Sequence, residues 1–212
     1  MVGERRIGAR DATSRAALLD AAERLMVENG YAAVTSRRIA EEAGLKPQLV
    51  HYYFRTMDEL FLEMFRRRAA EGVGQQRMLL DCPQPLWALW QFSTDPRVAA
   101  FTTELLALAN HREELRAEIA RYSAELRVEA QAMIAKALAA SSSRFGEIPP
   151  AAAIVVLTSV SRVVMMERSL GFTDGHRETF EFIELILTEL EGAPRQHYSP
   201  PAMPLPALGG ED

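Results

Sequence analysis

Residues 35–60 read TSRRIAEEAGLKPQLVHYYFRTMDEL, and this stretch decides the fold. Thr35 or Ser36 supplies a hydroxyl cap for a short helix that turns Ile39, Ala40 and Ala43 inward. Gly44 then provides the left-handed residue of a tight turn. Pro47 suits the first turn of the following helix, where a missing N–H costs nothing. That helix spans Pro47 to Tyr53, and Thr56 with Glu59 forms a capping box for the next. Two short helices joined by a glycine turn make a helix-turn-helix, whose second helix is shaped to enter the DNA major groove.

The pattern outward from this pair is helical throughout. Leu18, Ala21, Ala22, Leu25 and Met26 recur at helical spacing, which predicts a helix from Thr13 to a stop at Asn29-Gly30. Residues 1–12, with Arg5, Arg6 and Arg10, form a flexible arm, and 13–57 form the helix-turn-helix domain. Leu60, Phe61, Met64 and Phe65 continue a stripe to about Gly72. Gly72, Gly74 and Cys82-Pro83-Gln84-Pro85 then break the pattern. Further helices are expected over Leu86–Phe92, from Asp95-Pro96 onward, and through Leu115, Ile119, Tyr122, Leu126 and Met133 to about Ala140. Ala151–Leu170 is apolar nearly all round, which predicts burial on most sides, and His176–Leu190 is the last helix. Residues 58–192 thus form a helical body, and the Pro-rich residues 193–212 are expected to be disordered. No strand-period segment and no internal repeat stand out, so the expected fold class is all-α.

The chain has 212 residues, enough for one large or two small helical domains. Its net charge of −5 argues at first against a nucleic-acid partner. Residues 1–57, however, carry nine basic and seven acidic side chains, against fifteen and twenty-two in the remainder. A basic head on an acidic body suits a protein that presents one end to phosphate. The apolar run Ala151–Met166 is interrupted by Arg162 and falls short of a membrane span. No signal peptide is expected, and the lone Cys82 suits a reducing cytoplasm.

From Ser14 to Glu63 the chain resembles the TetR family of bacterial transcriptional regulators. The resemblance rests on Asn29-Gly30-Tyr31, Val34-Thr35, Ile39-Ala40, Ala43-Gly44-Leu45, Tyr53-Phe54 and Glu59-Leu60. It implies that Thr35, Ser36 and Arg37 start the helix that crosses the DNA backbone, where hydroxyls and N–H groups suit phosphate. Arg37 is long enough for a bidentate contact to guanine. Pro47, Gln48, His51 and Tyr52 occupy the outer face of the recognition helix; Gln48 suits adenine. Tyr53 is assigned to the DNA backbone, while Val50 and Phe54 face the core. The chain departs from the family at three places. Lys46 replaces a small capping residue and adds charge. His51 stands where tyrosine is usual. Met57 stands where a lysine commonly grips phosphate; either Arg55, beside Thr56, replaces that grip or one contact is absent.

The resemblance further implies a homodimeric repressor that binds a double-stranded, palindromic operator and is released by a small-molecule effector. The sequence independently supports a dimer: the last two helices are too apolar for one partner face each, and paired across a two-fold axis they form a four-helix bundle. Trp87, Trp90, Phe101, Tyr122, Met133, Met165 and Met166 are candidates to line a pocket for a largely apolar effector. Arg162, a charge within an apolar helix, is expected to meet an anionic ligand group or a carboxylate such as Glu104 or Glu167.

Enzyme chemistry finds no support. His51, His111, His176 and His197 form no ligand spacing, and Cys82 has no base nearby in sequence. Gly72-x-Gly74 follows no strand. No metal, cofactor or membrane is expected. The alternative function is a helical ligand-binding or adaptor protein whose helix-turn-helix has lost operator specificity, which Met57 and the net acidity favour.

Overall fold

The computed structural model of the chain describes residues 2–80 and 82–195, with side chains described for 11–72 and 82–195. The side chains of the arm arginines Arg5, Arg6 and Arg10, and the tail from residue 196, lie outside the described residues. The described residues form α-helices and two 3-10 turns, with no strand among them, as the expected all-α class requires. In order these are α1 (Val2–Asn29), α2 (Ser36–Glu42), α3 (Pro47–Tyr53), α4 (Met57–Leu80), α5 (Pro85–Ser93), α6 (Pro96–Ala109), α7 (Glu113–Ala140), α8 (Pro150–Ser169) and α9 (His176–Glu191). The 3-10 turns are Tyr31–Ala33 and Arg144–Glu147. Two differences from the sequence pattern stand out. α1 begins at Val2, ahead of the expected Thr13 and through the expected flexible arm, and α4 runs through Gly72 and Gly74 to Leu80.

The chain divides into two compact units. One takes residues up to Ala69 together with Phe101–Ile119; the other takes Ala70–Ala100 and the chain from Ala120 onward. In the first unit α1 buries Leu18, Ala22 and Met26, α2 buries Ile39 and Ala40, and α4 buries Leu60 and Met64. Beneath them lies a charged cluster. The carboxylate of Glu23 meets Arg67 at 2.7 Å and Arg68 at 2.9 Å, and Arg67 also reaches Asp20 at 2.8 Å. The Arg68 guanidinium sits 5.6 Å above the Phe101 ring.

In the second unit Trp87, Trp90, Met133, Ile134, Ile154, Leu157, Ile183 and Leu187 share one core. α8 and α9 both pack against α5. The Glu191 carboxylate accepts the N–H groups of Leu86 (2.9 Å) and Trp87 (3.1 Å), which satisfies the open N-terminus of α5. The Trp87 indole donates to the Gly192 carbonyl at 3.0 Å. Gln84 donates to the Ala193 carbonyl and accepts from the Arg195 N–H, so the chain is tied down past Gly192.

Burial raises the Glu191 pKa, against the lowering effect of the two N–H groups it accepts. The folded state therefore holds this proton more tightly than the unfolded chain does. The stability it lends is present below the unfolded glutamate pKa and is lost as pH rises through the folded one. Glu191→Gln removes that loss. Its melting temperature relative to wild type should rise as pH is raised from 4 to 8, measured in a thermal unfolding series; a constant difference would contradict this.

Two expectations for α8 are corrected. The helix has 20 residues, because it extends past the apolar run to Pro150 and Ser169, and by length and composition alone it is long and apolar enough to cross a membrane. Nor is it buried on most sides. Ile154, Leu157, Ser161, Val164 and Met165 are buried along one stripe, but Val155, Val156, Val163 and Met166 are exposed. On α9, Ile183 and Leu187 are buried while Phe182 and Leu185 are 59% and 58% exposed.

Candidate DNA-binding site

The recognition pair is held by local chemistry. Thr35 caps α2, its hydroxyl accepting the Arg38 N–H at 3.4 Å. At the other end of α2 the Gly44 N–H bonds the Glu41 carbonyl and the Leu45 N–H bonds the Ala40 carbonyl. Gly44 sits at φ +65°, and the two bonds make a Schellman stop that sets the angle between α2 and α3. α3 starts on Pro47, and Lys46 gives no side-chain cap. Val50 and Phe54 anchor α3 inward, each 1% exposed. The Thr56 hydroxyl accepts the Glu59 N–H at 3.1 Å, and the Glu59 carboxylate accepts the Arg55 N–H at 2.8 Å.

With Val50 and Phe54 buried, the helical period turns Gln48, His51 and Tyr52 to solvent, Tyr52 being 70% exposed. Thr35, Arg37, Lys46, Pro47, Arg55 and Thr56 are exposed around this face, and Ser36 is half-buried at the start of α2. The sequence candidates thus fall on α2, α3 and their flanking turns. Tyr53 differs from the rest. It is half-buried, its ring meets Tyr52 edge-on at 4.9 Å, and its hydroxyl donates to Asp11 at 2.9 Å. Burial and the Asp11 carboxylate both raise its pKa, so the phenol stays protonated. Met57 is half-buried at the start of α4.

Two carboxylates of this unit are engaged in ion pairs. Glu42 is met by Arg24 at 2.9 Å and Asp58 by Arg112 at 2.6 Å. Arg37, Lys46 and Arg55 stay exposed to solvent. The surface that results offers a helix with polar, planar and aromatic side chains flanked by cations. Such a surface can place bidentate groups against base edges and cations against phosphates.

Sequence reading missed the contacts that brace this unit from afar. Arg112 pairs with Asp58 and lies 5.2 Å over the Phe61 ring. Arg66 meets Glu118 at 3.0 Å, and Glu104 accepts the Tyr31 N–H at 2.7 Å. Partners this far apart in sequence leave no periodic signal. Only Asn29, which accepts from Arg38 at 2.9 Å, lay within reach of local reasoning.

The effector candidates are scattered. Trp87, Trp90 and Met133 are core residues of the second unit, Met165 is buried on α8, and Tyr122 is half-buried against Gly72. Phe101 belongs to the first unit, under Arg68. Met166 is exposed. Arg162 is exposed as well, which corrects the expectation of an inward charge: it lies on the outer side of α8. The carboxylates proposed for it are engaged elsewhere, Glu104 on Tyr31 and Glu167 on His176 at 2.8 Å. A cleft of about 300 Å³ opens beside Cys82, Gln84, Gln91 and Arg195, and Trp87 is the one candidate that lines it.

Residues 18–64 match the family model described as bacterial regulatory proteins, tetR family. The HTH-type transcriptional regulator BetI of Rhizobium meliloti (strain 1021) is 42% identical over 52 residues, 24% of this chain and 26% of that protein. The chain therefore spans about a quarter of the length of that curated relative. A TetR-family regulator from Rhodococcus sp. superposes with a TM-score of 0.60 at 20% identity, covering 82% of this chain and 99% of the other. The transcriptional regulator FadR from Bacillus subtilis, solved in complex with stearoyl-CoA, gives 0.58 at 15% identity, covering 84% and 98%. At these identities the structural likenesses show the fold.

Proposed function

We propose that this chain, which carries the N-terminal domain of the TetR family of bacterial regulators, is a cytoplasmic, homodimeric repressor released from a palindromic operator by a small, largely apolar molecule. The observation that carries the reading is the outer face of α3. Val50 and Phe54 are buried, which commits Gln48, His51 and Tyr52 to solvent beside Arg37, Lys46 and Arg55. A seven-residue helix that spends its polar side chains outward contributes little to the core, and a DNA groove is the partner its chemistry fits.

The dimer rests on the exposed apolar side of α8 and α9. Val155, Val156, Val163, Met166, Phe182 and Leu185 are too many apolar side chains for water to face without cost. A second copy related by a two-fold axis covers them and sets two recognition helices on successive half-sites. Effector release is supported by the cleft of about 300 Å³ that Trp87 lines in the second unit and by the ligand seen in the Bacillus subtilis neighbour. Effector and operator then favour different dimer geometries, and each weakens the other by the same factor.

The test is binding of the purified protein to the DNA upstream of its own reading frame, with scrambled competitor and a salt series. Specific, salt-sensitive retention supports the regulator; binding no better than scrambled DNA at every salt concentration counts against it. Gln48→Ala should then relax preference at one base pair, costing about 1–3 kcal/mol of discrimination while binding to non-specific DNA is unchanged. A scan of operator point variants checks this, and an unchanged preference would remove Gln48 from the reading set.

A further inference from the structure

The turn that leads from α1 into the recognition pair has an unusual support. Gly30 sits at φ 78°, ψ 162°, a conformation close to glycine-only, and gives the 3-10 turn Tyr31–Ala33 no side-chain cap. The Tyr31 N–H is the first open donor of that turn, and its partner comes from 73 residues downstream: the Glu104 carboxylate on α6, at 2.7 Å. A β-carbon at Gly30 would stand 3.3 Å from the same carboxylate oxygen, a tight contact that glycine avoids. The rest of the turn closes on itself, Ala33 and Val34 bonding back to Gly30 and Tyr31, and Thr35 to Ala33. Thr35 then caps α2. One carboxylate therefore fixes where the α2–α3 pair begins.

We infer that Glu104 is a positioning residue for DNA recognition: from α6 it holds the α1–α2 junction through the Tyr31 N–H, so that the outer face of α3 is presented at a fixed angle. The inference rests on the DNA-binding reading above. Glu104 touches no DNA in this scheme; it acts through the backbone of the turn. The hydrogen bond is charge-assisted and half-buried, which places it among the stronger kind. Its neighbour Phe101, three residues back on the same helix, lies under Arg68, so α6 is braced against α4 where Glu104 projects.

The test compares full-length wild type, Glu104→Ala and Glu104→Gln. Glutamine keeps an acceptor oxygen at the same reach without the charge; alanine removes it. Hydrogen exchange by mass spectrometry reports on residues 30–34 of the free protein. Affinity is read on the DNA sequence that the wild type enriches from a random pool. Glu104→Ala should exchange faster at that turn and bind the enriched DNA about tenfold more weakly. Its dimer mass and its binding to scrambled DNA should be unchanged. Glu104→Gln should restore both the protection and most of the affinity, a rescue that a general loss of stability would not give. Wild-type affinity in Glu104→Ala, or exchange raised throughout the protein with no rescue by glutamine, would overturn the inference. Failure of the wild type itself to enrich any sequence would instead overturn the DNA-binding reading on which it stands.

Discussion

Glu23→Ala should cost about 3–5 kcal/mol of stability, the scale set by removing one partner from a buried ion pair. The Glu23 side chain is 3% exposed and bridges two guanidiniums, at 2.7 Å to Arg67 and 2.9 Å to Arg68. Burial alone would lower the Arg67 pKa; the Glu23 and Asp20 carboxylates outweigh it, and the balance is a raised value. Without Glu23, Arg67 keeps Asp20, whose side chain is half exposed, and the buried Arg68 guanidinium, 8% exposed, loses the Glu23 contact. A domain of ordinary stability has only about 5–15 kcal/mol to lose. The denaturant midpoint should therefore fall sharply. Replacing Glu23, Arg67 and Arg68 together by methionine should cost much less, because both sides of the Glu23 pairs are removed and Asp20, which loses Arg67, is half exposed to water. A single substitution with an unchanged midpoint would show that the cluster is solvated in solution.

The second large effect concerns the apolar side of α9. Phe182→Glu combined with Leu185→Glu should convert the proposed dimer to monomers. Full burial of such side chains is worth about 1.5–3 kcal/mol each, and a two-fold interface counts each of them twice. The dissociation constant should rise by at least about a thousandfold, which sedimentation equilibrium can follow. The fold of one chain should survive, since Phe182 and Leu185 are exposed while Ile183 and Leu187 fill the core. Binding to a two-half-site operator should fall with the dimer. A variant that remains dimeric would move the interface elsewhere; a wild type that is monomeric and partitions onto lipid vesicles would point to a different cover for α8.

Much of the fold was legible because local chemistry decided it. α3 begins on Pro47 and ends at Tyr53 as expected, since proline and the inward Val50 and Phe54 leave few alternatives. Gly72 and Gly74 misled for a physical reason. Glycine in a helix costs about 1 kcal/mol, but the Tyr122 hydroxyl lies against Gly72, and a β-carbon there would force it to shift. The helix continues because packing across the unit outweighs propensity.

The candidate site divides along the same line. Gln48, His51 and Tyr52 could be placed outward from the period of one short helix. Arg162 could not be placed, because α8 is apolar on nearly every side and periodicity does not say which stripe is buried. The aromatic and methionine candidates share a composition with ordinary core, and Trp87, Trp90 and Met133 are core. The Glu104 contact was beyond reach, since nothing in the sequence around either residue signals the other.

The account turns on the claim that the α3 face reads DNA, and one measurement tests it most directly: selection from a random double-stranded pool by the full-length protein, followed by binding of the enriched sequence across a salt series. The account predicts one enriched motif with two-fold symmetry, bound at least about a thousandfold more tightly than its scrambled form. It also predicts that the logarithm of the affinity falls linearly with the logarithm of salt concentration. An unenriched pool, or equal affinity for the motif and its scrambled form, would contradict it.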